Sequence, residues 1–180
     1  MVEIIRDAEA IHDAHTDDRG DAWHMFVPSD AMAAYQALRS VPRGDGFFLE
    51  WGSGLGTITL IAAALGFTAS GIEIRPELVQ IARSLALKHD LSASFVVGNF
   101  IADWYVHNPL CADPDMRSEV CGEDGYEQLG LDLEDFSVIY AFPWPGEEDL
   151  FLDLFEHGAR RGAHLICNHG SDGMRITRHR

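Results

Sequence analysis

Short apolar runs alternate with longer amphipathic stretches along most of the chain, and this alternation predicts an α/β fold. The apolar runs have the length of strands and cover 47–50, 68–73, 93–97, 136–141 and 164–168. Strands that alternate with helices form parallel sheets through right-handed crossovers. We therefore expect a doubly wound, mostly parallel sheet with the strand order 3-2-1-4-5.

The stretches between the strands repeat their apolar positions with the period of an α-helix. They predict helices over 3–15, 30–40, 55–65, 76–88 and 147–158. Ser29 has the character of an N-cap, with Asp30 in the first turn of the helix that follows. Pro76 suits the first turn of its helix, and Gly66 suits the end of the preceding one.

The length of 180 residues suits a single domain over 1–180. We divide it into an N-terminal helical segment over 1–45 and a core over 46–180. The stretch 104–134 is rich in acids, Gly and Pro and predicts an irregular insertion. The residues after Asn168 are too few to add a further helix and strand pair to the sheet, so we expect a shortened C-terminal end. The stretch 174–177 predicts one antiparallel edge strand instead.

A glycine-rich turn follows the first predicted strand, in the sequence Phe47-Phe-Leu-Glu-Trp-Gly-Ser-Gly-Leu-Gly56. Glycine lets a ligand approach the backbone, and the following helix start offers free N–H groups. The second strand ends in Gly71-Ile-Glu73, where the acid can accept two hydrogen bonds from a ribose diol. Together these features predict a nucleoside-cofactor site at the switch point of the sheet.

The details of the turn favour S-adenosylmethionine over a dinucleotide. The dinucleotide pattern is G-x-G-x-x-G, whereas this chain has Gly52, Gly54 and Gly56, with Thr57 at the position of the third glycine. This difference weakens the NAD interpretation without excluding it. Glu50 lies beside the turn, where it would repel a pyrophosphate and suit a cationic ligand. S-adenosylmethionine carries an ammonium and a sulfonium and has no phosphate.

These motifs resemble those of the class I, seven-strand, Rossmann-like S-adenosylmethionine-dependent methyltransferases. The first motif is 50–56, the second is 71–73, and Gly98-Asn-Phe100 stands where the third is expected. The resemblance runs from about Phe26 to Asn168. Within the superfamily, the motifs and the strand 137–140 with its aromatic loop are most similar to the non-SET protein-lysine methyltransferases.

The resemblance implies a set of cofactor-binding residues. The methionine part would be held by Glu50, Gly52, Ser53, Gly54 and Gly56. Glu73 would bind both ribose hydroxyls, and Ile74 would pack on the adenine. Asn99, at a position where the family often has an acid, would bind the adenine amino group, and Phe100 would pack beside the adenine ring. Ser29 belongs to the segment 26–29, which related enzymes place over the cofactor.

Several of these residues have a second, structural interpretation. Glu50 could form a salt bridge with an arginine, and Glu73 could cap the helix that begins near Pro76. Phe100 could be a core residue. Ser29 could be an N-cap only.

The acceptor would meet the methyl group at the loop Phe142-Pro-Trp-Pro145, after the fourth strand. Phe142, Pro143 and Trp144 are the candidate substrate-binding residues, because aromatic faces attract methylammonium groups and pack on lysine stems. Trp144 could equally be a packing anchor. The Asn or Asp that base-methylating enzymes carry before this loop is replaced by Ala141. Glu147 and Glu148 are weak candidates for a general base.

The net charge of −16, from 29 acids against 13 Lys and Arg, disfavours a nucleic-acid partner. It favours a basic protein segment or a small amine as the acceptor, although acidity also serves solubility. No apolar run has the length of a membrane span, and the N-terminus lacks the apolar stretch of a signal peptide. Three cysteines without metal spacing fit a cytoplasmic setting.

No metal is predicted. His12 and His15, with Asp13 and Asp17 nearby, could be imagined as ligands, but a frayed, solvated helix end is the simpler interpretation, because the polar break Thr16–Asp21 follows directly.

The sequence therefore predicts a methyltransferase acting on a protein side chain, with lysine as one candidate, or on a small molecule. Two alternatives remain open. One is a non-catalytic domain of the same fold that binds the cofactor or a partner, because the polar group after the fourth strand is missing. The other is an NAD-dependent oxidoreductase. Fold alone does not separate these functions.

Overall fold

The computed structural model describes residues 1–15, 23 and 25–180. Helix α1 covers Val2–Ala14 and α2 covers Ala31–Ser40. The remaining helices are α3 (Thr57–Ala64), α4 (Pro76–Lys88), α5 (Gly125–Leu129) and α6 (Glu148–Gly158). Short 3₁₀ turns lie at Pro109–Ala112, Leu133–Asp135 and Gly170–Asp172. The predicted polar break over 16–21 lies outside the described residues.

Six strands form one sheet with the order β3-β2-β1-β4-β5-β6. They are β1 (Phe47–Trp51), β2 (Thr68–Glu73), β3 (Ala93–Val97), β4 (Val138–Ala141), β5 (His164–Asn168) and β6 (Met174–Arg178). The first five are parallel, and β6 pairs antiparallel with β5. The predicted fold class, strand order and antiparallel edge strand are confirmed.

The sheet is covered on both faces because successive strand residues point to opposite sides. In β1, Leu49 and Trp51 pack with Leu154 and Phe155 of α6 on one face. Phe48 packs on the other face, in a cluster with residues of α2 and α3. A third cluster joins α1 and α4. The parallel strands therefore have their apolar side chains buried on both faces, as the continuous apolar runs require.

The predicted boundaries are corrected at three elements. Helix α3 begins at Thr57, two residues later than predicted, because the left-handed backbone of the glycine turn extends to Gly56. Helix α2 is capped by Asp30, which accepts the N–H groups of Met32 and Ala33, so the N-cap is not Ser29. Strand β4 begins at Val138, two residues later than predicted. A 3₁₀ turn that ends at Asp135 occupies the chain just before the strand. Ser137 still bonds to the carbonyl of Phe47 through both its backbone N–H and its hydroxyl.

The glycine turn between β1 and α3 has the left-handed backbone that its glycines permit. Gly52, Gly54 and Gly56 have φ values of +67°, +50° and +74°. Gly52 has open space where a Cβ would lie, whereas a Cβ on Gly54 or Gly56 would collide with the ring of Phe26 or Phe95. Packing therefore leaves no room for a side chain at Gly54 or Gly56, whereas the backbone at Gly52 borders open space.

Gly56→Ala should destabilise the fold more than Gly130→Ala does. Both glycines have positive φ, but a Cβ at position 56 would lie 2.5 Å from the Phe95 ring, whereas Gly130 has nothing within 4 Å. We expect a loss of about 2–4 kcal/mol in the free energy of unfolding at Gly56, from strain plus overpacking. Gly130→Ala should cost about 1–2 kcal/mol, from backbone strain alone. Urea unfolding of both variants measures this, and equal losses would contradict the packing argument.

Candidate functional site

Two adjoining cavities open at the carboxyl edge of the sheet. The first has a volume of about 490 Å³ and lies between the glycine turn, α1 and the 26–32 segment. The second has a volume of about 640 Å³ and lies over the ends of β2 and β4. They share Phe26, Val27, Trp51, Gly52 and Phe142 as lining residues. One extended site therefore runs across the edge where the topology places ligands in open α/β sheets.

Glu50 is buried at the end of β1 and lines the first cavity. One of its carboxylate oxygens, Oε2, accepts the backbone N–H of Thr59 at 2.8 Å and the hydroxyl of Thr59 at 2.5 Å. Burial raises the pKa of Glu50 to about 8, because the hydrogen bonds from Thr59 offset only part of the desolvation. The partner of Glu50 is thus the start of α3 and not an arginine.

Glu73 is buried at the end of β2 and faces the second cavity. Its Oε2 accepts the N–H of Gly54 at 2.8 Å, and its Oε1 accepts the N–H of Arg75 at 2.9 Å. Burial raises the pKa of this carboxyl above its ordinary value, against the effect of the two N–H donors. Glu73 therefore ties the glycine turn to β2 and also binds the residue before α4. Each oxygen keeps a second lone pair for a ligand.

The glycine turn places Ser53 in the wall of the first cavity. Among the described residues, the buried Ser53 hydroxyl has no hydrogen-bond partner. Its side chain occupies the space that a Cβ on Gly71 would need, at 2.7 Å. The glycine that begins the second sequence motif is therefore required for packing under the turn.

Ile74 and Phe100 line the second cavity, whereas Asn99 does not. The Phe100 ring stacks on Trp51 with centroids 5.6 Å apart. The Asn99 side chain instead donates from Nδ2 to the carbonyl of Glu119 and accepts the N–H of Ile101, both at 2.9 Å. The structure brings Ile74 and Phe100 together and directs the Asn99 amide into the protein.

Ser29 lines the first cavity at the end of the segment that crosses it. Its hydroxyl is hydrogen-bonded to the Tyr140 hydroxyl and accepts from Nδ2 of Asn168 at 2.7 Å. Burial raises the pKa of Tyr140 above its ordinary value. A polar cluster from β4, β5 and the segment before α2 therefore faces the methionine end of the predicted site.

The aromatic loop after β4 forms one wall of the second cavity through Phe142, Pro143 and Trp144. The Arg117 guanidinium lies over the Trp144 ring, 5.0 Å from its centroid. Trp144 is half-buried, so its ring both packs on the protein and borders the cavity.

The two glutamates after the loop differ in position. Glu148 lines the second cavity and accepts the N–H of Gly146 at 2.9 Å. Glu147 is buried, is not among the lining residues, and binds the backbone of Arg117 and Ser118. Of the two, only Glu148 has access to a molecule in the cavity.

The histidines of α1 make local contacts. His15 bonds through Nδ1 to the carbonyl of Ile11 and stacks on Trp23, and the His12 ring packs edge-on against Phe26. Asp17 lies outside the described residues. Within the part of the chain that is described, no group of three or more His, Cys, Asp and Glu side chains could hold a metal ion. No described helix is long and apolar enough to cross a bilayer.

Several lining residues carry no sequence motif. The 117–119 segment of the insertion and the 169–172 turn after β5 both border the second cavity. Tyr140 belongs to an apolar strand, and only the strand register could have placed its hydroxyl at the cavity. The insertion gives no periodic signal, so nothing in its sequence points to the cavity.

No family model matches the sequence, and no curated protein matches it either. Solved structures are similar in fold. An RNA methyltransferase from Salinibacter ruber, in complex with S-adenosyl-L-homocysteine, is 19% identical with a TM-score of 0.55, over 78% of this chain and 76% of that one. A hypothetical protein from Thermus thermophilus is 23% identical with a TM-score of 0.53, over 82% and 80%.

A third similar structure is 21% identical with a TM-score of 0.50. It concerns the conversion of a disulfide bond into a thioacetal group during echinomycin biosynthesis. The match covers 78% of this chain and spans about half, 52%, of that protein. These likenesses show that the chain has a Rossmann-like fold, which it shares with the methyltransferase from Salinibacter ruber.

Glu50→Gln should remove a pH dependence from stability. The pKa of Glu50 is about 8 in the folded chain against 4.5 for the ordinary group, so the folded state binds more protons between these values. Stability due to Glu50 is therefore full below about pH 4.5 and falls as the pH rises towards 8. At about 1.4 kcal/mol for each pKa unit, the loss is at most roughly 5 kcal/mol.

Urea unfolding of the wild type and of Glu50→Gln from pH 5 to pH 8 measures this effect. The free energy of unfolding of the variant should increase relative to that of the wild type as the pH rises. Parallel stability curves would contradict the raised pKa of Glu50.

Proposed function

We propose that the chain is an S-adenosylmethionine-dependent methyltransferase whose acceptor is an amine, on a basic protein segment or on a small molecule. The observation that carries the proposal is the pair of buried carboxylates, Glu50 and Glu73, on either side of a left-handed glycine turn. Glu50 beside the turn suits a cationic nucleoside and opposes a pyrophosphate, so it argues against the NAD alternative. An acid at the position of Glu73 also occurs in dinucleotide sites and does not separate the two cofactors.

The residues present fit the cofactor in three respects. The open space above Gly52 admits a ligand to the backbone. Glu50 and Ser29 border the first cavity, where the ammonium and carboxylate of the methionine part would be held. Glu73, Ile74 and Phe100 border the second cavity, where the ribose and adenine would lie.

The cofactor, when bound, supplies a methyl group that its sulfonium already activates. The chain has to align the acceptor with that methyl group and exclude water, which is a proximity effect. Trp51 and Phe142 line both cavities and form an apolar wall where they meet, and Phe100 stacks on Trp51 in the second cavity. An amine acceptor also has to lose a proton, and Glu148 is the candidate carboxylate on the cavity wall.

The charges around the second cavity support an amine. Arg75 is paired with Glu119, which leaves three acids on the wall, Glu73, Glu148 and Asp172, against Arg117 and His169. The net charge of −16 acts in the same direction at longer range. The aromatic loop offers faces on which a lysine stem can pack. Lysine on a basic protein segment is therefore our leading candidate acceptor.

One observation favours a second candidate, a non-catalytic binding domain. Strand β4 ends in the buried Ala141, followed by Phe142, so no polar side chain stands at that strand end to orient an amine. Cofactor binding without transfer to any protein or metabolite would support this alternative.

The proposal is tested by mass spectrometry of the purified protein, which detects retained S-adenosylmethionine or its demethylated product. Radiolabelled S-adenosylmethionine incubated with a cell lysate then tests for transfer. Label in protein favours the side-chain acceptor, and label in the small-molecule fraction favours a metabolite. Binding of NAD without binding of S-adenosylmethionine would replace the proposal.

Glu73→Ala should weaken the binding of S-adenosylhomocysteine by about 10- to 100-fold, the range expected when hydrogen bonds to a charged group are lost. Calorimetry measures the affinity. Glu77→Ala is the matched control, because Glu77 is exposed in the first turn of α4. Thermal unfolding of both variants shows whether a loss of affinity comes from the missing contact or from unfolding of the protein. Unchanged affinity in a folded Glu73→Ala protein would remove Glu73 from the cofactor site.

A further inference from the structure

The 117–119 segment is fastened to the body of the protein by side chains from three separate elements. It lies in the irregular insertion and borders the second cavity through Arg117, Ser118 and Glu119. The segment has no helix or strand of its own. Its position therefore depends on the side chains that bind it.

Glu147 makes most of these bonds. Its Oε1 accepts the backbone N–H of Arg117 and, at 3.1 Å, that of Ser118. Its Oε2 accepts the Ser118 hydroxyl at 2.5 Å. Hydrogen bonds to a carboxylate are about twice as strong as those between neutral groups. Because both oxygens are occupied and the residue is buried, Glu147 cannot take a proton from a molecule in the cavity without releasing the segment.

The other end of the segment is held by Asn99 and Arg75. The Asn99 amide donates to the carbonyl of Glu119 while it accepts the N–H of Ile101. These two partners need a donor and an acceptor on one side chain, which an amide has and a carboxylate lacks. Arg75 pairs with the Glu119 carboxylate.

The segment also reaches the aromatic loop. The Arg117 guanidinium lies over the Trp144 ring at 5.0 Å. The 117–119 segment thus spans the second cavity from the adenosine side, at Arg75, to the loop after β4.

We propose that Glu147 is a positioning residue that holds the 117–119 segment as the outer wall of the second cavity, and so fixes the space open to the acceptor. The acceptor role of this wall rests on the proposed function, whereas the fastening by Glu147 does not. Glu147 acts through the segment and not on the reacting atoms.

Three variants test the fastening. Glu147→Gln keeps an oxygen for the two N–H groups and can donate to the Ser118 hydroxyl, so it should hold the segment. Glu147→Ala removes every bond. Glu156→Ala is the matched control, because Glu156 is exposed on α6, the helix that Glu147 directly precedes.

Trypsin cleavage after the exposed Arg117 and hydrogen exchange of peptides over 113–123 report the release. Both rates should rise about 10-fold or more in Glu147→Ala and stay near wild type in Glu147→Gln and Glu156→Ala. Ser118→Ala, which loses only the hydroxyl bond, should give a smaller rise. It keeps the test open if Glu147→Ala does not fold. Unchanged rates in every variant would overturn the proposal.

Methyl transfer separates positioning from catalysis. With radiolabelled S-adenosylmethionine and lysate protein, Glu147→Ala should lose transfer about 10-fold or more, while S-adenosylhomocysteine affinity stays within about threefold, as expected for a residue outside the cofactor contacts. Glu147→Gln should restore transfer with the wild-type pH profile. Loss of transfer and of one limb of that profile in Glu147→Gln would overturn the positioning role and make Glu147 a general base.

The two proposals fail separately. If the wild type binds no S-adenosylhomocysteine and transfers no label, the proposed function is wrong, but the trypsin and exchange rates still decide whether Glu147 holds the segment.

Discussion

The hydrogen bond from the Gly54 N–H to Glu73, at 2.8 Å, joins the two halves of the candidate site. It fixes the glycine turn, which follows β1, against the end of β2. The turn can come this close only because Gly71 has no side chain where Ser53 lies, and because Gly54 adopts a left-handed backbone. The residues beside this contact line the two cavities, Ser53 the first and Glu73 the second, so the parallel pairing of β1 and β2 determines how the cavities adjoin.

The sequence predicted the features that depend on local patterns. The strands β2, β3 and β5 and the helix α4 have the predicted limits, because a buried parallel strand is a continuous apolar run and Pro76 marks a helix start. Ser29 was wrongly predicted as an N-cap. Asp30 and Ser29 both have capping side chains, and only the tertiary partners Tyr140 and Asn168 decide which of them faces the helix.

The 117–119 wall of the second cavity could not be predicted, because its position depends on contacts between distant parts of the chain. Glu147 and Arg117 are thirty residues apart, and Asn99 meets Glu119 across the insertion. The Asn99 side chain, suggested by its motif position, is hydrogen-bonded within the chain. In an irregular segment no period links sequence to direction, so only the folded structure shows which side chains hold it and which face the cavity.

Burial of the two glutamates lowers the free energy of unfolding of the chain. Each loses hydration on folding, and the charge of Glu73 further raises the pKa of Glu50. A protein selected for stability alone would replace at least one of them by an apolar or amide side chain. A bound cation offsets both effects at once, because it favours the ionised form of each carboxyl. A cationic ligand at the sheet edge would interact directly with these buried carboxylates, whereas the longer-range field of the acidic surface is screened by salt.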